Sequence, residues 1–391
     1  MPLDSIYLDH HATTPVDPRV VEAMLPYFTE LFGNAGSISH GFGEEAAQAV
    51  EIARAKLAAA IGAGEKELVF TSGATESNNL AIKGVAGRER RKGNHIVSVV
   101  TEHRAVLDPL ERLARRGMDV TLLPVDAQGF IQPDDVARAL RDDTLLVSVM
   151  LANNEIGTLQ PLAEIGRLCK QRGVLLHTDA TQAVGKIPVD VEQLQVDLLS
   201  FTAHKLYGPK GVGALYVRRR APHVRLEPQI DGGGQQGGLR SGTLPVPLIV
   251  GFAHAVELCL AEMPTEAQRL RDLRQQLYTG ICQSISGVSL NGPTLETPEL
   301  RLDGNLNLSF SGVDGEALMM KMRTIAVSSG SACTSTNPEP SHVLRALGIG
   351  DDLTRSSLRF GLGRFNTPAD IAHAIRAVSA AVSELRMLAS P

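Results

Sequence analysis

The sequence predicts an α/β protein with two folding units, a large one built on a mostly parallel sheet and a smaller α+β one. The chain has 391 residues, more than a single hydrophobic core usually organises. From about residue 43 to residue 220, strand-like apolar runs alternate with segments of helical period, which is typical of parallel strands covered by helices. A Gly-rich stretch at residues 231 to 243 then ends this alternation.

The candidate strands of the large unit are short apolar runs. Several lack the alternation of a half-solvated strand, as expected for strands that are buried on both faces. They are ELVFT (67–71), HIVSVV (95–100), VTLLPV (120–125), TLLVSVM (144–150), VLLHTD (174–179), DLLSFT (197–202) and GALYV (213–217). Helices are predicted between them, as in AEIGRLCKQRG (163–173), where Ile165, Leu168 and Cys169 recur at helical spacing.

The remainder of the chain predicts the smaller unit. A long helical region reaches about residue 283, and it is followed by a strand at 305–310, a Ser/Gly-rich loop at 328–340, a strand at 356–362 and a terminal helix. We expect the large unit to comprise residues 15–255, and the small unit to comprise residues 1–14 and 256–391.

Composition narrows the class of protein. Hydrophobic residues make up 43%, charged residues 21%, and the net charge is -5, values ordinary for a globular protein without a nucleic-acid or membrane partner. The basic run Arg88 to Lys92 is expected on a solvated helix end. Because the chain shows no signal peptide and no uninterrupted apolar run of about 18 residues, we expect a cytoplasmic location.

The four cysteines show no C-x-x-C spacing, so the sequence predicts neither a disulfide framework nor a zinc site. Three of them, Cys169, Cys259 and Cys282, lie in apolar helical segments, where we expect buried thiols. Cys333 differs, because it lies among small polar residues that favour exposure and mobility.

Candidate functional residues follow the strands of the predicted sheet. Ligands of open α/β sheets bind outside the carboxyl ends of the strands. The polar groups expected there are Ser72-Gly73-Ala74-Thr75, Glu102-His103, Asn153-Asn154, Asp179-Ala180-Thr181-Gln182 and Thr202-Ala203-His204-Lys205.

Two of these residues indicate a pyridoxal 5'-phosphate (PLP) site. Lys205 lies in a run with few charges, where a lowered pKa suits an imine-forming amine, and Asp179 ends a different strand, where it can hold a protonated ring nitrogen. The turn before the helix near Thr75 offers N–H groups to a phosphate. Taken singly, Lys205 could be an ordinary exposed lysine and Asp179 a helix cap, but together the three elements supply what PLP requires.

Long motifs along nearly the whole chain carry a family resemblance. They are YLDHHATTPVDPRV, FTSGATESNNLAIKG, TEHRAVLD, NNEIGTLQP, HTDATQAVGKIPVD, SFTAHKLYGPKGVGALYVRR, LRSGTLP, SSGSACTS and SSLRFGLGRF. The sequence resembles the cysteine desulfurases of the NifS/IscS-like branch of the class V aminotransferase superfamily. The resemblance implies the PLP-dependent transferase fold of the aspartate aminotransferase type, with a mostly parallel seven-stranded sheet.

The resemblance also implies roles for individual residues. Lys205 resembles the Schiff-base lysine and proton acceptor, Asp179 the partner of the pyridine nitrogen, and His103 the imidazole stacked on the ring. The residues implied to contact the phenolic oxygen or the phosphate are Gln182, Asn154, Ala74, Thr75, Thr202 and His204. Arg359 resembles the clamp for the substrate carboxylate, with Asn34 and Asn154 beside the substrate. Thr243 is implied to reach the PLP of the other subunit, which predicts a homodimer with shared sites.

Cys333 resembles the cysteine that accepts sulfur. The resemblance therefore implies that L-cysteine is converted to L-alanine and that sulfur passes to Cys333 as a persulfide, for delivery to an acceptor in iron-sulfur cluster assembly or thio-modification. About six residues on either side would let the thiol travel on the order of 20 Å. His103 is the candidate base for this thiol. Selenocysteine lyase, or another PLP-dependent lyase or aminotransferase, stays open as the alternative activity.

The sequence departs from the family in several places. His10 and His11 stand where relatives often carry Asn, Ser or Tyr, and two adjacent histidines are too few to predict a metal site. Gln236 and Gly237 replace a Glu-Arg pair, which affects the expected subunit boundary. The chain ends at Pro391, whereas housekeeping relatives continue into a tail that docks the iron-sulfur scaffold, so we expect that docking mode to be absent.

Overall fold

The computed structural model describes residues 5–89, 92–221, 223–329 and 339–389. Within these residues the strands are β1 (Ile6–Tyr7), β2 (Leu68–Thr71), β3 (His95–Val99), β4 (Asp119–Leu123), β5 (Thr144–Ser148), β6 (Leu175–Asp179), β7 (Leu198–Thr202), β8 (Gly213–Val217), β9 (Val288–Leu290), β10 (Asn305–Phe310), β11 (Ile325–Ala326), β12 (Ser328–Ser329) and β13 (Ser357–Gly361). The helices are α1 (Pro18–Met24), α2 (Pro26–Thr29), α3 (Gly41–Ala59), α4 (Ala74–Glu89), α5 (Arg104–Ala114), α6 (Pro133–Ala139), α7 (Leu162–Arg172), α8 (Val191–Leu194), α9 (Val246–Ser284), α10 (Gly315–Lys321), α11 (His342–Ala346), α12 (Asp351–Arg355) and α13 (Pro368–Ala389).

The large unit is built on a seven-stranded sheet of order β2-β8-β7-β6-β5-β3-β4. Only β8 runs against its neighbours β2 and β7, and the other pairings are parallel. These strands are the ones that the apolar runs predict, and their ends differ by no more than a residue or two. The predicted α/β fold with a mostly parallel seven-stranded sheet is therefore confirmed.

Both faces of this sheet are buried, which explains the weak alternation of its strands. In β2, Val69 joins the core on the side of α4 and α5, whereas the next residue, Phe70, joins the core formed with α3, α7 and α9. Ile96 and Val97 of β3 divide in the same way. With helices on both faces, the free edge at the carboxyl ends of the strands remains as the place for a site.

The small unit has a four-stranded antiparallel sheet of order β12-β13-β10-β9. The chain's beginning belongs to this unit, because β1 pairs with β11 in parallel and Leu8 is buried in the small unit's core. The terminal helix α13 covers that core with Ile371, Ala374 and Val378. The β10 and β13 strands match the sequence prediction, whereas the two-residue strands β1, β11 and β12 did not stand out in the sequence.

Helix α9 passes from one core to the other. Its residues up to Cys259 pack in the large unit, and Leu270, Leu273 and Leu277 pack in the small one, so the expected boundary at residues 255 and 256 falls inside a continuous helix. Among the described helices, α9 is long and apolar enough to cross a membrane, with a mean hydropathy of 1.6 over 18 residues. Core helices of globular proteins can be equally long and apolar, and 44% of this 18-residue stretch is buried inside the protein.

The prediction of buried thiols holds for Cys169 and Cys259 and is wrong for Cys282, which is exposed. Cys282 follows Ile281, which occupies the core-facing position of α9, so the cysteine falls on the outer side of the helix. A sequence that is apolar along most of a long helix does not indicate which of its faces is covered.

We expect Phe252→Ala to destabilise the protein by about 3–5 kcal/mol, because the ring is fully buried and lies 5.2 Å from the ring of Phe201, centroid to centroid. The measurement is the urea midpoint of unfolding of the cofactor-free protein. Leu260→Ala, on the exposed side of the same helix, is the control and should change the midpoint little. Equal shifts in the two variants would contradict the proposed core.

Candidate active site

A cavity of about 1100 Å³ lies at the carboxyl ends of the parallel strands, with walls from both units. It brings together most of the residues that the sequence predicts for a site. Those in its wall are Ala74, Thr75, His103, Asn154, Asp179, Gln182, Thr202, His204, Lys205 and Arg359. The first nine come from the large unit, and Arg359 comes from β13 of the small unit.

Lys205 lies in a short 3-10 turn that follows β7. Its Nζ donates to the backbone oxygens of His11 and Ala12, at 2.6 Å each. The pKa of Lys205 is lowered to about 8, chiefly by burial and secondly by the nearby Arg359, while Asp179 and Asp9 oppose these effects. About a tenth of this amine is therefore neutral, and nucleophilic, at pH 7, far more than for a lysine of ordinary pKa.

Asp179 ends β6 and is almost completely buried. Its Oδ2 accepts a hydrogen bond from Asn78 Nδ2 at 2.7 Å, and its Oδ1 accepts one from the backbone N–H of Thr181 at 2.9 Å. Because each oxygen has a fixed donor, the carboxylate cannot turn freely. Asn78 was missed in the sequence, although a polar residue on the buried face of α4 was an available indication.

His103 caps the N-terminus of α5, and its Nδ1 accepts from the N–H of Ala105 at 3.1 Å. The ring is open to the cavity, but the protein encloses its other sides and thereby lowers its pKa. With Nδ1 occupied as an acceptor, the neutral ring carries its proton on Nε2. His103 thus offers a flat neutral ring. Its Nδ1 can accept a proton only after the hydrogen bond from the N–H of Ala105 has broken.

Glu102, beside His103, is fully buried in the cavity floor. Its Oε1 accepts from the N–H of Met150, and its Oε2 has no partner among the described residues. Burial raises the pKa of Glu102 well above its usual value, with a further contribution from Asp179. Glu102 therefore holds its proton more readily than an exposed carboxyl group does.

The N-terminus of α4 opens into the cavity. The first hydrogen bond of this helix runs from Ser77 N to Gly73 O at 3.1 Å. The N–H groups of Ala74, Thr75 and Glu76 therefore have no acceptor within the helix. Gly73 has a φ of 153° and lies so close to β8 that a side chain on Gly213 would overlap it. The turn and the free N–H groups form an anion-binding geometry.

A carboxylate lies at this helix end as well, and it is neutralised. Glu76 accepts from Arg240 Nε at 2.8 Å and from the N–H of Ser72 at 2.8 Å. This pair was not predicted. It joins the loop after residue 231 to α4 and removes a negative charge that would oppose a bound phosphate.

Thr202 and His204 complete this side of the cavity. The hydroxyl of Thr202 donates to Val212 O at 2.9 Å, and His204 Nδ1 is hydrogen-bonded to the Thr13 hydroxyl at 3.1 Å. Burial lowers the pKa of His204 to about 4, so its ring is neutral at physiological pH.

Arg359 projects from β13 into the opposite wall. Its Nη2 donates to Asp9 Oδ1 and to Ser328 Oγ, at 2.8 Å each, and its Nη1 donates to Asn154 O at 3.2 Å. The buried Nε has no partner among the described residues. The guanidinium is therefore held in place and keeps N–H groups for an anionic ligand.

His10 and His11 have separate partners. His10 Nδ1 donates to Gly361 O at 2.9 Å, whereas His11 Nδ1 donates to Gln182 Oε1 at 3.1 Å. Gln182 also accepts from Lys186 Nζ. The sequence did not indicate the contact between His11 and Lys186 through Gln182, because these residues are distant along the chain.

Three predicted residues do not line this cavity in the described structure. Asn34 lies in an exposed loop, where its side chain accepts from the N–H of Gly36 at 2.9 Å, and Thr243 is also exposed. Cys333 lies outside the described residues, so its role stays a prediction. The described residues nearest to it along the chain, Ser329 and Glu339, both lie in the cavity wall.

Gln236 and Gly237, the departures in the Gly-rich stretch, have contacts within the chain. Gln236 Oε1 accepts from the N–H of Phe70 at 3.0 Å and from Arg54 Nη1 at 3.2 Å, which covers the exposed edge of β2. Gly237 has a φ of 64°, a conformation that favours glycine.

The site fits PLP in the features that the structure records. Free N–H groups at a helix N-terminus suit a phosphate, a fixed buried carboxylate suits a protonated ring nitrogen, and a lysine of lowered pKa suits an aldehyde. Buried polar atoms without partners among the described residues, Thr181 Oγ1 and Arg359 Nε, are available for a ligand.

Comparisons with known proteins agree with this site. Residues 6–373 match the model of the aminotransferase class-V family. The chain is 56% identical over 381 residues to "Cysteine desulfurase IscS" of Anaeromyxobacter dehalogenans (strain 2CP-C), covering 97% of this chain and 93% of the relative. It is 52% identical over 383 residues to the protein of the same name from Rickettsia akari (strain Hartford), covering 98% and 92%.

Solved structures show the same similarity. A NifS-like protein superposes with a TM-score of 0.90 at 37% identity, covering 97% of this chain and all (100%) of the other. A structure described as SspA in complex with cysteine superposes with a TM-score of 0.81 at 38% identity, covering 93% of this chain and 100% of the other.

We expect Lys205 to be acylated with a pH midpoint near 8, since only the neutral amine reacts and its pKa is about 8. Arg359→Gln should raise the midpoint, because a repelling cation is removed, and Asp179→Asn should lower it. The measurement is competitive acetylation of the cofactor-free protein, read at Lys205 by mass spectrometry with exposed lysines as internal reference. A midpoint near the ordinary lysine value of about 10.4 would contradict the effect of burial.

Proposed function

We propose a course of reaction for this chain, which belongs to the aminotransferase class-V family and within it is a cysteine desulfurase. In this proposal the chain binds PLP through Lys205, converts L-cysteine to L-alanine, and passes the sulfur to Cys333 as a persulfide. A sulfur-acceptor protein then receives it. The observation that carries the proposal is the single cavity that holds Lys205, Asp179 and Arg359 together.

The residues proposed to hold PLP divide by the part of the cofactor they suit. The N–H groups of Ala74 and Thr75, with Thr202 and His204, would hold the phosphate. Asp179 would pair with the ring nitrogen, Gln182 and Asn154 would lie near the phenolic oxygen, and the neutral ring of His103 would stack on the cofactor. Bound PLP supplies an imine-forming aldehyde and an electron-withdrawing ring.

Lys205 is proposed to move the proton of the substrate's α carbon. Its lowered pKa makes the neutral amine available. In the absence of substrate, the carbonyl oxygens of His11 and Ala12 accept hydrogen bonds from Nζ. Asp179, fixed by Asn78, places its side-chain oxygens at the carboxyl end of β6. Each of these groups therefore has a single orientation before the substrate arrives.

Arg359 is proposed to bind the substrate carboxylate. A guanidinium already fixed by Asp9 and Ser328 loses little conformational entropy when an anion binds to its remaining N–H groups. Asn154 contributes its backbone oxygen to this arrangement. Asn34 stays a prediction as a further substrate contact.

Cys333 is proposed as the sulfur acceptor. Its thiolate sulfur forms a bond to the substrate sulfur while the substrate's carbon–sulfur bond breaks, and the carbon takes up a proton to give alanine. No external oxidant or reductant is needed. Because His103 Nδ1 is occupied by the cap of α5, a role for His103 as the thiol's base requires release of that cap.

The proposed assembly is a homodimer with shared sites. Apolar side chains are exposed around α1 to α3, among them Leu25 (56%), Phe28 (55%) and Phe32 (64%), and a surface of this kind is typical of an interface. Thr243 is exposed and is absent from the wall of this chain's own cavity, which is compatible with a contact to the partner's phosphate. The proposed location is the cytoplasm, and iron-sulfur cluster assembly is the proposed destination of the sulfur.

We expect Cys333→Ser to retain the visible absorbance of bound PLP and to form no alanine in a single turnover with L-cysteine. The unaltered protein should give stoichiometric alanine and one added sulfur on Cys333, measured by chromatography and mass spectrometry. Cys282→Ser, which removes an exposed thiol of α9, is the control and should behave as the unaltered protein. Unchanged alanine formation in Cys333→Ser would exclude the proposed acceptor.

We expect Thr243→Ala to weaken PLP binding by about tenfold, the value of one hydrogen bond to a charged group. In hybrid dimers of a Thr243→Ala chain with a Lys205→Ala chain, one site would carry both changes and the other neither. Absorbance titration should therefore find one PLP site of full affinity per hybrid dimer. The hybrid should have about half the activity of the unaltered dimer. A hybrid no better than its parents would argue that each chain completes its own site.

A further inference from the structure

A second partly buried lysine lies close to Lys205. Lys186 follows β6 by a few residues, and its Nζ donates to Gln182 Oε1 at 2.6 Å. It lines a small cavity of about 40 Å³, whose wall also contains Lys205, His10 and His11. The proposed reaction assigns nothing to Lys186, and it has no carboxylate within ion-pair distance among the described residues.

Gln182 is 3% exposed and nearly all of its hydrogen-bonding capacity is used. Its Oε1 accepts from Lys186 Nζ at 2.6 Å and from His11 Nδ1 at 3.1 Å. Its Nε2 donates to His11 O at 2.9 Å. Since an amide has two acceptor positions and two donor hydrogens, both positions on the oxygen are filled and one N–H remains.

The orientation of this amide follows from its neighbours. The backbone oxygen of His11 can only accept, and it also accepts from Lys205 Nζ at 2.6 Å. Reversing the Gln182 amide would place its oxygen against that carbonyl oxygen and would break the bonds to His11 Nδ1 and Lys186. The arrangement in the structure is therefore the one that keeps the hydrogen bonds of Gln182 to His11 and Lys186.

We propose that His11 and Lys186 are positioning residues that lock the Gln182 amide, so that it presents the main cavity with an N–H and never with an oxygen. The inference rests on the proposed function, in which Gln182 lies near the phenolic oxygen of PLP. That oxygen is an acceptor, so a donor attracts it and an amide oxygen repels it. Lys186 acts from outside the main cavity, whose described wall does not include it.

The space for His11 is provided by Gly361. A side chain on Gly361 would place its first carbon 2.8 Å from the backbone nitrogen of His11 and 3.0 Å from the Cδ2 of its ring. The His11 ring is fully enclosed, and burial lowers its pKa well below the usual value, so it is neutral. Its single proton then lies on Nδ1, where Gln182 Oε1 requires it.

The test is the pH at which the visible absorbance of the PLP-bound enzyme changes. A donor on the phenolic oxygen weakens its hold on the proton of the neighbouring imine and so lowers this midpoint. Lys186→Met and His11→Ser should therefore raise the midpoint by about half a pH unit or more, as should Gln182→Leu. Lys321→Met, which removes an exposed lysine paired with Glu384, is the matched control and should leave the midpoint unchanged.

A double-variant cycle separates positioning from a direct effect of charge. If Lys186 acts through Gln182, adding Lys186→Met to Gln182→Leu should cause no further shift. A shift that persists in the Gln182→Leu background would overturn the proposal, as would unchanged midpoints in the single variants. Should Lys186→Met fail to fold, His11→Ser carries the same test against the same oxygen.

The outcome is distinguishable from a failure of the proposed function. An unaltered enzyme without the absorbance of bound PLP would contradict the proposed function itself. An unaltered enzyme that shows this absorbance, with variants of the same midpoint, would contradict only the roles of His11 and Lys186.

Discussion

The hydrogen bonds of the backbone at residues 8 to 14 set the positions of the groups around the cavity. This segment is tied to the small unit through Leu8 N to Ala326 O (2.9 Å) and His10 N to Gly361 O (3.0 Å), and to the large unit through Thr14 N to His204 O (2.9 Å). Between these ties, Asp9 holds Arg359, and the carbonyl oxygens of His11 and Ala12 hold Lys205. The group proposed for the substrate carboxylate and the amine proposed for the cofactor are thus positioned by one stretch of chain.

Removal from water determines the chemistry of the cavity floor. Burial lowers the pKa of Lys205 and Lys186 and raises that of Glu102, and in each case it is the first cause of the shift. Burial therefore disfavours the charged form of each group, so that Lys205 and Lys186 lose their protons at a lower pH than exposed lysines do. Asp179 and Arg359 have hydrogen-bond partners that fix their orientation. Electrostatic interactions of a ligand with these fixed groups are stronger than in bulk water, because the effective dielectric constant of a largely buried site is lower.

The sequence predicted the elements whose pattern is local. Apolar runs located the strands of the large sheet, and the polar residues after β6 and β7 therefore indicated the edge at which Asp179 and Lys205 meet. Contacts between distant segments could not be predicted in this way. His11 and Gln182 are separated by 171 positions, and only the folded chain shows that they share a hydrogen bond. Strands of two residues, such as β1 and β12, are too short for a period, and the exposure of Cys282 depends on which side of α9 the small unit covers.

Because helix α9 contributes to two hydrophobic cores, it couples the stability of the large unit to that of the small unit. Neither unit can release its half of the helix without weakening the support of the other half, so loss of structure in one unit lowers the stability of its neighbour. The peptide at Pro264 has no N–H to donate, and it lies between Cys259, at the end of the first core, and Leu270, at the start of the second. Any bending of the helix under thermal motion should therefore concentrate at this point, making Pro264 the natural hinge between two units that otherwise unfold together.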